Sequence, residues 1–155
     1  MLKAQLDIDH QNKMVMDAGC GTAILSIMAS KRGAKFIEAF DIDEWSVING
    51  KENIENNACA NINIRQGKIS DFEFGLFDII LANINKNVLL AEMEVYSRYL
   101  NADGLLLLSG FYEKDIDDLK TSASTFGLHE VKRDSRESWA SLLLRKTSKK
   151  NDLMT

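Results

Sequence analysis

The chain has 155 residues, 45% of them hydrophobic, and a formal net charge of −4. This length and apolar content fit a single domain with its own core, and the acidic balance argues against a broad basic surface that would bind the phosphate backbone of a nucleic acid. The longest apolar runs are too short to cross a membrane and no signal-peptide pattern opens the sequence, so we expect a cytoplasmic protein without a membrane partner.

Strands and helices alternate along the first half of the chain. The spacing of apolar residues predicts a strand over 14–17, a helix over 23–32, a strand over 36–41, a helix from Asp43 or Glu44 to about Asn57, and a strand over 62–65. Gly33 is expected to end the first of these helices. In the second helix, Val47, Ile54 and Ile48 are expected to face the core.

The second half of the chain ends in two strands with no helix between them. A nearly all-apolar strand over 77–82 ends at Asn83, and the pattern then predicts a helix over 88–100, a turn over 101–104, a strand over 105–108, a helix over 114–126 and strands over 128–133 and 140–145. This order is typical of an α/β fold with a mainly parallel twisted sheet, flanking helices and an antiparallel C-terminal hairpin. We expect one domain over 1–148 and a disordered tail over 149–155.

A glycine-rich turn joins the first strand to the first helix. Gly19 and Gly21 stand where the strand becomes a helix. Glycine permits a sharp backbone turn and the close approach of a ligand, and the helix start offers free N–H groups. Asp41 follows 22 residues after Gly19, at the end of the second strand. This is the spacing at which a carboxylate meets the hydroxyl groups of a ribose.

The glycine spacing discriminates between ribose-bearing ligands. A dinucleotide site has a third glycine three residues after the second, where this chain has Ile24. A branched side chain there argues against a pyrophosphate, whereas S-adenosylmethionine carries a ribose and an amino acid but no phosphate. The pattern therefore favours a methyl donor. The alternatives are a tight turn in a domain without a ligand and a nicotinamide-dependent oxidoreductase.

Several segments together resemble one family. They are 16–21, 24–27, 31–34, 41–43, 78–84, 108–110 and 139–146. Two of them are more specific than the rest: Ala82-Asn83-Ile84 without a following Pro-Pro-Tyr, and the strand end Leu108-Ser109-Gly110. On these segments and on its terminal hairpin, the chain resembles the Rossmann-like class I S-adenosylmethionine-dependent methyltransferases, and among them the ribosomal protein L11 methyltransferases (PrmA type). That family methylates amino groups of a large-subunit ribosomal protein.

The resemblance implies a role for each residue that matches the family's motifs. Gly19 would lie against the methionine part of S-adenosylmethionine, Asp41 would bind the ribose, and Asn83 would contact the cofactor at the reacting centre as the catalytic residue. The remaining implied cofactor-binding residues are Asp17, Cys20, Gly21 and Ile42. The implied reaction transfers a methyl group to a neutral lysine or α-amine, with S-adenosylhomocysteine as the product. For Asn83, capping of its own loop is the alternative.

Some features depart from the family pattern. Family members carry an N-terminal domain that binds the ribosomal protein, and we expect this chain to be truncated at the N-terminus and to lack that domain. Ala23 replaces a usual third turn glycine, in a position expected to tolerate it as a helix start, and 85–87 also differ. The alternatives are a methyltransferase acting on a small molecule or RNA, and a non-catalytic S-adenosylmethionine-binding module.

The cysteines and histidines give no further site. Cys20 and Cys59 lack metal-ligand or disulfide spacing, so we expect reduced thiols and no metal. His10 precedes the first strand and His129 opens a strand of the hairpin, so both are expected to be structural or exposed. The sequence therefore assigns no general base.

Overall fold

The computed structural model describes residues 2–147, which form a seven-stranded sheet flanked by helices. The strands are β1 Met14–Ala18, β2 Phe36–Asp41, β3 Ile62–Gln66, β4 Phe77–Asn83, β5 Leu100–Tyr112, β6 Leu128–Arg136 and β7 Trp139–Lys146. The helices are α1 Leu2–Leu6, α2 Ile24–Lys31, α3 Glu44–Asn56, α4 Lys86–Tyr99 and α5 Ile116–Thr125, and single 3₁₀ turns occupy Ile69–Asp71 and Glu113–Asp115.

The order of strands in the sheet is β3-β2-β1-β4-β5-β7-β6. The first five strands in the chain run parallel, and β7 pairs antiparallel with both β5 and β6. The predicted α/β fold, with a mainly parallel sheet and an antiparallel C-terminal hairpin, is therefore confirmed. The strand order reverses between β1 and β4, and open α/β sheets bind ligands in the crevice at the carboxyl ends of such strands.

Apolar side chains bury both faces of the sheet. One face packs against α4 and α5, and its buried side chains include Met16, Ile80, Leu89, Leu106, Leu119 and Leu142. On the opposite face the buried side chains form two groups around α2 and α3, which include Val15, Ile37, Leu81, Val47 and Ile54. The strands nearest the centre are covered on both sides, which explains their nearly continuous apolar sequences.

Helix α3 presents a different side to the sheet from the one predicted. Val47 and Ile54 are buried as expected, but Ile48 is 46% exposed, so that prediction is wrong. The third buried position is Gly50, where an added Cβ would lie 2.6 Å from Cδ1 of Ile64. The missing side chain lets α3 approach β3 closely, and this orientation leaves Ile48 on the solvent side.

The predicted turn over 101–104 lies inside β5. The pairing of β4 with β5 passes from Phe77 opposite Leu100 to Ile79 opposite Leu105, so the intervening residues bulge out of the ladder. Asp103 adopts a left-handed backbone with φ of 64° within that bulge. The turn-forming residues thus produce an irregularity within the strand.

Two helix starts also differ from the predictions. α4 begins at Lys86, before the predicted 88, because the side chain of Asn85 caps it by accepting a hydrogen bond from the N–H of Val88. The helix predicted from 114 starts as the 3₁₀ turn Glu113–Asp115 and becomes α-helical at Ile116.

The predicted tail over 149–155 lies outside the described residues. Within 2–147, none of the helices is long and apolar enough to cross a membrane. In the same part of the chain, the His, Cys, Asp and Glu side chains form no group of three that could hold a metal ion. Cys20 and Cys59 are both free thiols.

Candidate active site

The turn after β1 contains two glycines in the left-handed backbone region. The φ angles are 68° at Gly19 and 54° at Gly21, values that residues other than glycine rarely adopt. A Cβ on Gly19 would lie 2.7 Å from Cγ1 of Ile84, whereas a Cβ on Gly21 would have no described atom within 4 Å. Gly19 therefore permits close packing against the segment after β4, and Gly21 borders open space at the backbone.

Asp41 ends β2, and its carboxylate fastens the glycine turn. Oδ2 accepts a hydrogen bond from the N–H of Gly21 at 2.8 Å, and Oδ1 accepts one from the N–H of Asp43 at 2.9 Å. The N–H of Cys20 also donates to the carbonyl of Phe40 at 3.0 Å. A carboxylate has about four lone-pair sites, so Asp41 retains about two for a ligand. The structure thus brings together the acid and the turn that the sequence spacing linked.

Asp17 is a buried acid beneath the turn. Its Oδ2 accepts a 2.6 Å hydrogen bond from the hydroxyl of Ser26, and its Oδ1 has no hydrogen-bond partner within residues 2–147. Burial raises the pKa of Asp17 to about 6, although the hydrogen bond from Ser26 acts in the opposite direction. Asp17 has no exposed surface, so it supports the turn from the inside.

Cys20 and Ile42 face different environments. The Cys20 side chain is buried against Val47 and Ile54, and burial raises the pKa of its thiol far above the ordinary value. This thiol therefore stays protonated and contributes packing. Ile42 follows Asp41 directly and is 72% exposed, which leaves an apolar side chain beside the carboxylate.

Ala23 lies just outside α2, in a left-handed conformation. The prediction that the helix begins at Ala23 is wrong, since α2 begins at Ile24 and Ala23 has φ of 71° and ψ of 23°. An alanine in this region costs about 1 kcal/mol or more relative to glycine. The conformation supplies a physical reason for glycine at this position, and the buried methyl group packs in the cluster around α3.

Asn83 ends β4 on the other side of the point where strand order reverses. Ser109 lies opposite it in β5 and donates a 3.0 Å hydrogen bond from Oγ to Asn83 Oδ1. Ser109 is buried while Asn83 is exposed, so a buried hydroxyl orients an exposed amide. The helix after this segment is capped by Asn85, and the described hydrogen bond of the Asn83 side chain is the one from Ser109.

A cleft of about 1100 Å³ opens beside Asn83. Its walls are the start of α1, the segment after β4, the end of β5 and the tip of the β6–β7 hairpin. The glycine turn does not line this cleft, but Ile84 does, and Ile84 also packs against Gly19. The structure thus places the predicted site residues in two groups, the turn with Asp41 and the cleft with Asn83, which meet at Ile84.

Two cleft features were missed by the sequence reasoning. Ser109 and Trp139 contributed to the family resemblance without a role, yet both line the cleft. Trp139 is 52% exposed and stacks on Tyr112, with ring centroids 4.4 Å apart. The signal for this pair was a tryptophan at the start of a strand, but the stacking depends on the pairing of β5 with β7.

Asp43 and the two histidines are assigned no part in the site. Asp43 caps α3, since its Oδ2 accepts a hydrogen bond from the N–H of Ser46 at 3.1 Å. His10 is buried, its Nδ1–H donates to the carbonyl of Ile8 at 2.9 Å, and burial lowers its pKa. His129 is exposed at the start of β6.

Comparison with known proteins identifies the family. A family model described as ribosomal protein L11 methyltransferase (PrmA) matches residues 1–147. The chain belongs to this family. It is 43% identical over 143 residues to the ribosomal protein L11 methyltransferase of Porphyromonas gingivalis, a match that covers 92% of this chain and 49% of that relative. The corresponding protein of Bacteroides thetaiotaomicron is also 43% identical, over 138 residues, with 88% and 49% covered.

This PrmA family member spans about half the length of the curated relatives it matches. Among solved structures, the ribosomal protein L11 methylase of Lactobacillus delbrueckii subsp. bulgaricus has a TM-score of 0.87 and 27% identity, covering 94% of this chain and 76% of that one. The methyltransferase of Pyrococcus furiosus, at 22% identity and a TM-score of 0.82, has the same fold. The predicted family and the Rossmann-like class I methyltransferase fold are therefore confirmed.

Proposed function

We propose that this chain is an S-adenosylmethionine-dependent methyltransferase domain that transfers methyl groups to amino groups of ribosomal protein L11. The observation that carries the proposal is the hydrogen-bonded pairing of Asp41 with the glycine turn, beside the cleft of Asn83 and within the PrmA family. The catalytic unit corresponds to residues 1–148. Its place of action would be the cytoplasm, and its protein substrate would be held by a further domain of the longer relatives.

The residues around the turn fit S-adenosylmethionine. Open space at the Gly21 backbone would admit a ligand, and Asp41 retains acceptor capacity for two ribose hydroxyl groups. The exposed side chain of Ile42 would pack against the apolar face of the base. Gly19 and Cys20 would lie along the methionine part through their backbone, and Asp17 would stabilise the turn from below.

When bound, S-adenosylmethionine supplies an electrophilic methyl group on a sulfonium, and transfer of this group to a neutral amine leaves the sulfur as a thioether and requires no metal ion. The chain's part is alignment of the acceptor, which is effective because a correctly oriented pair reacts as if highly concentrated. Asn83 would accept a hydrogen bond from the incoming amine, in the orientation fixed by Ser109. A lysine with an unperturbed pKa of about 10.4 must first lose its proton, and we assign no side chain as its base.

Calorimetric titration with S-adenosylhomocysteine tests the cofactor assignment, with NAD as the control ligand. We expect saturable binding of S-adenosylhomocysteine and none of NAD at the same concentration. Tighter binding of NAD would contradict the proposal. Failure to bind either ligand would also contradict it for this chain.

Transfer of labelled methyl groups to purified ribosomal protein L11 tests the substrate assignment. The chain should be assayed alone and fused behind the N-terminal half of the Porphyromonas gingivalis relative, which is 43% identical in the shared part. We expect lysine or α-amine methylation, detected as mass increments, with the fused protein the more active. Methylation of RNA or of a small molecule in place of L11 would refute this substrate.

A further inference from the structure

An ion-pair network lies behind the cleft, outside the residues assigned above. The ammonium group of Lys86, the first residue of α4, donates to Asp118 Oδ2 at 2.7 Å and to Asp115 Oδ1 at 3.3 Å. The side chain of Asp115 is 13% exposed and that of Lys86 is 28% exposed, so this part of the network is partly shielded from water. Shielding makes an ion pair more sensitive to the loss of one partner.

Asp115 extends the network to Tyr112, whose stacking partner Trp139 lines the cleft. Its second oxygen, Oδ2, accepts a hydrogen bond from the N–H of Tyr112 at 3.2 Å. The Tyr112 ring stacks on Trp139, and the next residue, Glu113, donates its N–H to the carbonyl of Ser138 at 2.8 Å. Asp115 thus holds the backbone of Tyr112, one member of the aromatic pair.

Lys86 follows closely in sequence after Asn83, on the side of the cleft formed by the segment after β4. Two residues, Ile84 and Asn85, separate it from Asn83, and both line the cleft. Asn85 also fixes the start of α4 by capping it. Lys86, next to the cleft residue Asn85, therefore binds an acid that supports Tyr112, across 29 positions of sequence.

We propose that Lys86 and Asp115 are positioning residues that hold the Tyr112–Trp139 pair at a fixed distance from Asn83. The inference rests on the proposed function for its consequence, because the acceptor amine would enter between these walls. Neither residue touches the reacting atoms. Their role is to keep the cleft narrow enough for the amine to be aligned.

The fluorescence of Trp139 shows whether the Tyr112–Trp139 pair is held in place, and it does not require catalysis. In a Trp45→Phe background, Trp139 is the remaining tryptophan, and acrylamide quenching measures its exposure. Because Trp139 is already 52% exposed, release of the wall by Lys86→Met or Asp115→Asn should raise the quenching constant by at most about twofold. Lys86→Arg should restore the parental value.

Lys120→Met is the matched control. It breaks an ion pair with Glu130, at 3.6 Å, that also starts on α5 but does not reach Tyr112. This variant should leave quenching unchanged, and thermal melting of both variants shows whether a general loss of stability accounts for any difference. Unchanged quenching in Lys86→Met, or an equal rise in Lys120→Met, would overturn the proposal.

Methyl-transfer kinetics test the consequence for the acceptor. Lys86→Met should lower kcat/KM for ribosomal protein L11 by about tenfold, and leave S-adenosylhomocysteine affinity unchanged. A raised quenching constant of Trp139 together with a parental kcat/KM would refute the role in acceptor alignment. If the parental chain binds S-adenosylhomocysteine but methylates nothing, the proposed function fails, and the quenching result alone decides whether this pair holds the wall.

Discussion

Removal of the Asp41 carboxylate gives the most direct test of the candidate cofactor site. In the structure this side chain accepts hydrogen bonds from the N–H groups of Gly21 and Asp43. Its remaining acceptor sites would bind the ribose hydroxyl groups of the proposed cofactor. Hydrogen bonds to a charged group contribute about 1.5–3 kcal/mol each. Asp41 is partly exposed, so competition with water reduces their net value.

We expect Asp41→Ala to weaken S-adenosylhomocysteine binding by about 2–4 kcal/mol, which corresponds to about 30-fold to 1000-fold in the dissociation constant. Two lost ribose hydrogen bonds account for most of this range, and the unsupported Gly21 turn adds to it. Asp41→Asn should fall between the parent and the alanine variant. Its amide keeps one acceptor oxygen but places an NH₂ group against a backbone N–H.

The assay is calorimetric titration of each variant, with thermal melting as the check on folding. Asp43→Ala is the matched control, because it removes a neighbouring carboxylate that caps α3 through Ser46. It should cost about 1 kcal/mol of stability but change the affinity by less than about threefold. Binding by Asp41→Ala within threefold of the parent, in a protein that melts normally, would refute the placement of the ribose at Asp41.

Three further predictions concern the scaffold of the site. Folding raises the pKa of Asp17 from 3.8 to about 6, so the parent loses stability as the pH rises through this window, and Asp17→Asn should gain about 2 kcal/mol relative to the parent between pH 4 and 7 in urea unfolding. Gly19→Ala should cost about 2–4 kcal/mol in the same assay, because its Cβ would meet Ile84 from a left-handed backbone. Lys146→Met should cost about 1–2 kcal/mol, because Lys146 donates at 2.7 and 2.9 Å to carbonyls at the end of α4.

The Gly19 and Lys146 variants each have a control in the same chain. Gly75→Ala adds a methyl group with no described atom within 4 Å, and should change stability by less than about 0.5 kcal/mol. Lys132→Met breaks an exposed ion pair with Asp7 and should leave the unfolding midpoint unchanged within the precision of the assay. Parallel pH dependence of the parent and Asp17→Asn would contradict the buried ionisation assigned to Asp17.

The part of the site that follows from local sequence was predictable. Gly19, Gly21 and Asp41 are set by a strand, a turn and the next strand, and the parallel pairing of β1 with β2 brings the turn and the acid together. The helix face containing Ile48 was not predictable, because Val47 and Ile48 are adjacent and periodicity alone does not choose between them. The choice is made by Gly50, whose missing side chain matters only against β3.

The cleft depends on contacts between distant segments. Ser109 reaches Asn83 because β4 and β5 are neighbours in a particular register, and Trp139 reaches Tyr112 because β7 returns antiparallel along β5. Neither register can be read from apolar spacing, which fixes which residues face the core but not which strands pair. The family resemblance singled out these segments without supplying their contacts.

The contact between Gly19 and Ile84 gives the candidate site its continuity. Gly19 belongs to the turn that Asp41 fastens, and Ile84 belongs to the wall that contains Asn83, so both halves share one tightly packed junction. Tightly packed junctions respond to small changes in volume, since the interior has little free space. A displacement of the turn is therefore transmitted to the wall through Ile84. The proposed cofactor and acceptor positions are mechanically connected at Gly19, where a side chain larger than hydrogen cannot be accommodated without movement of Ile84.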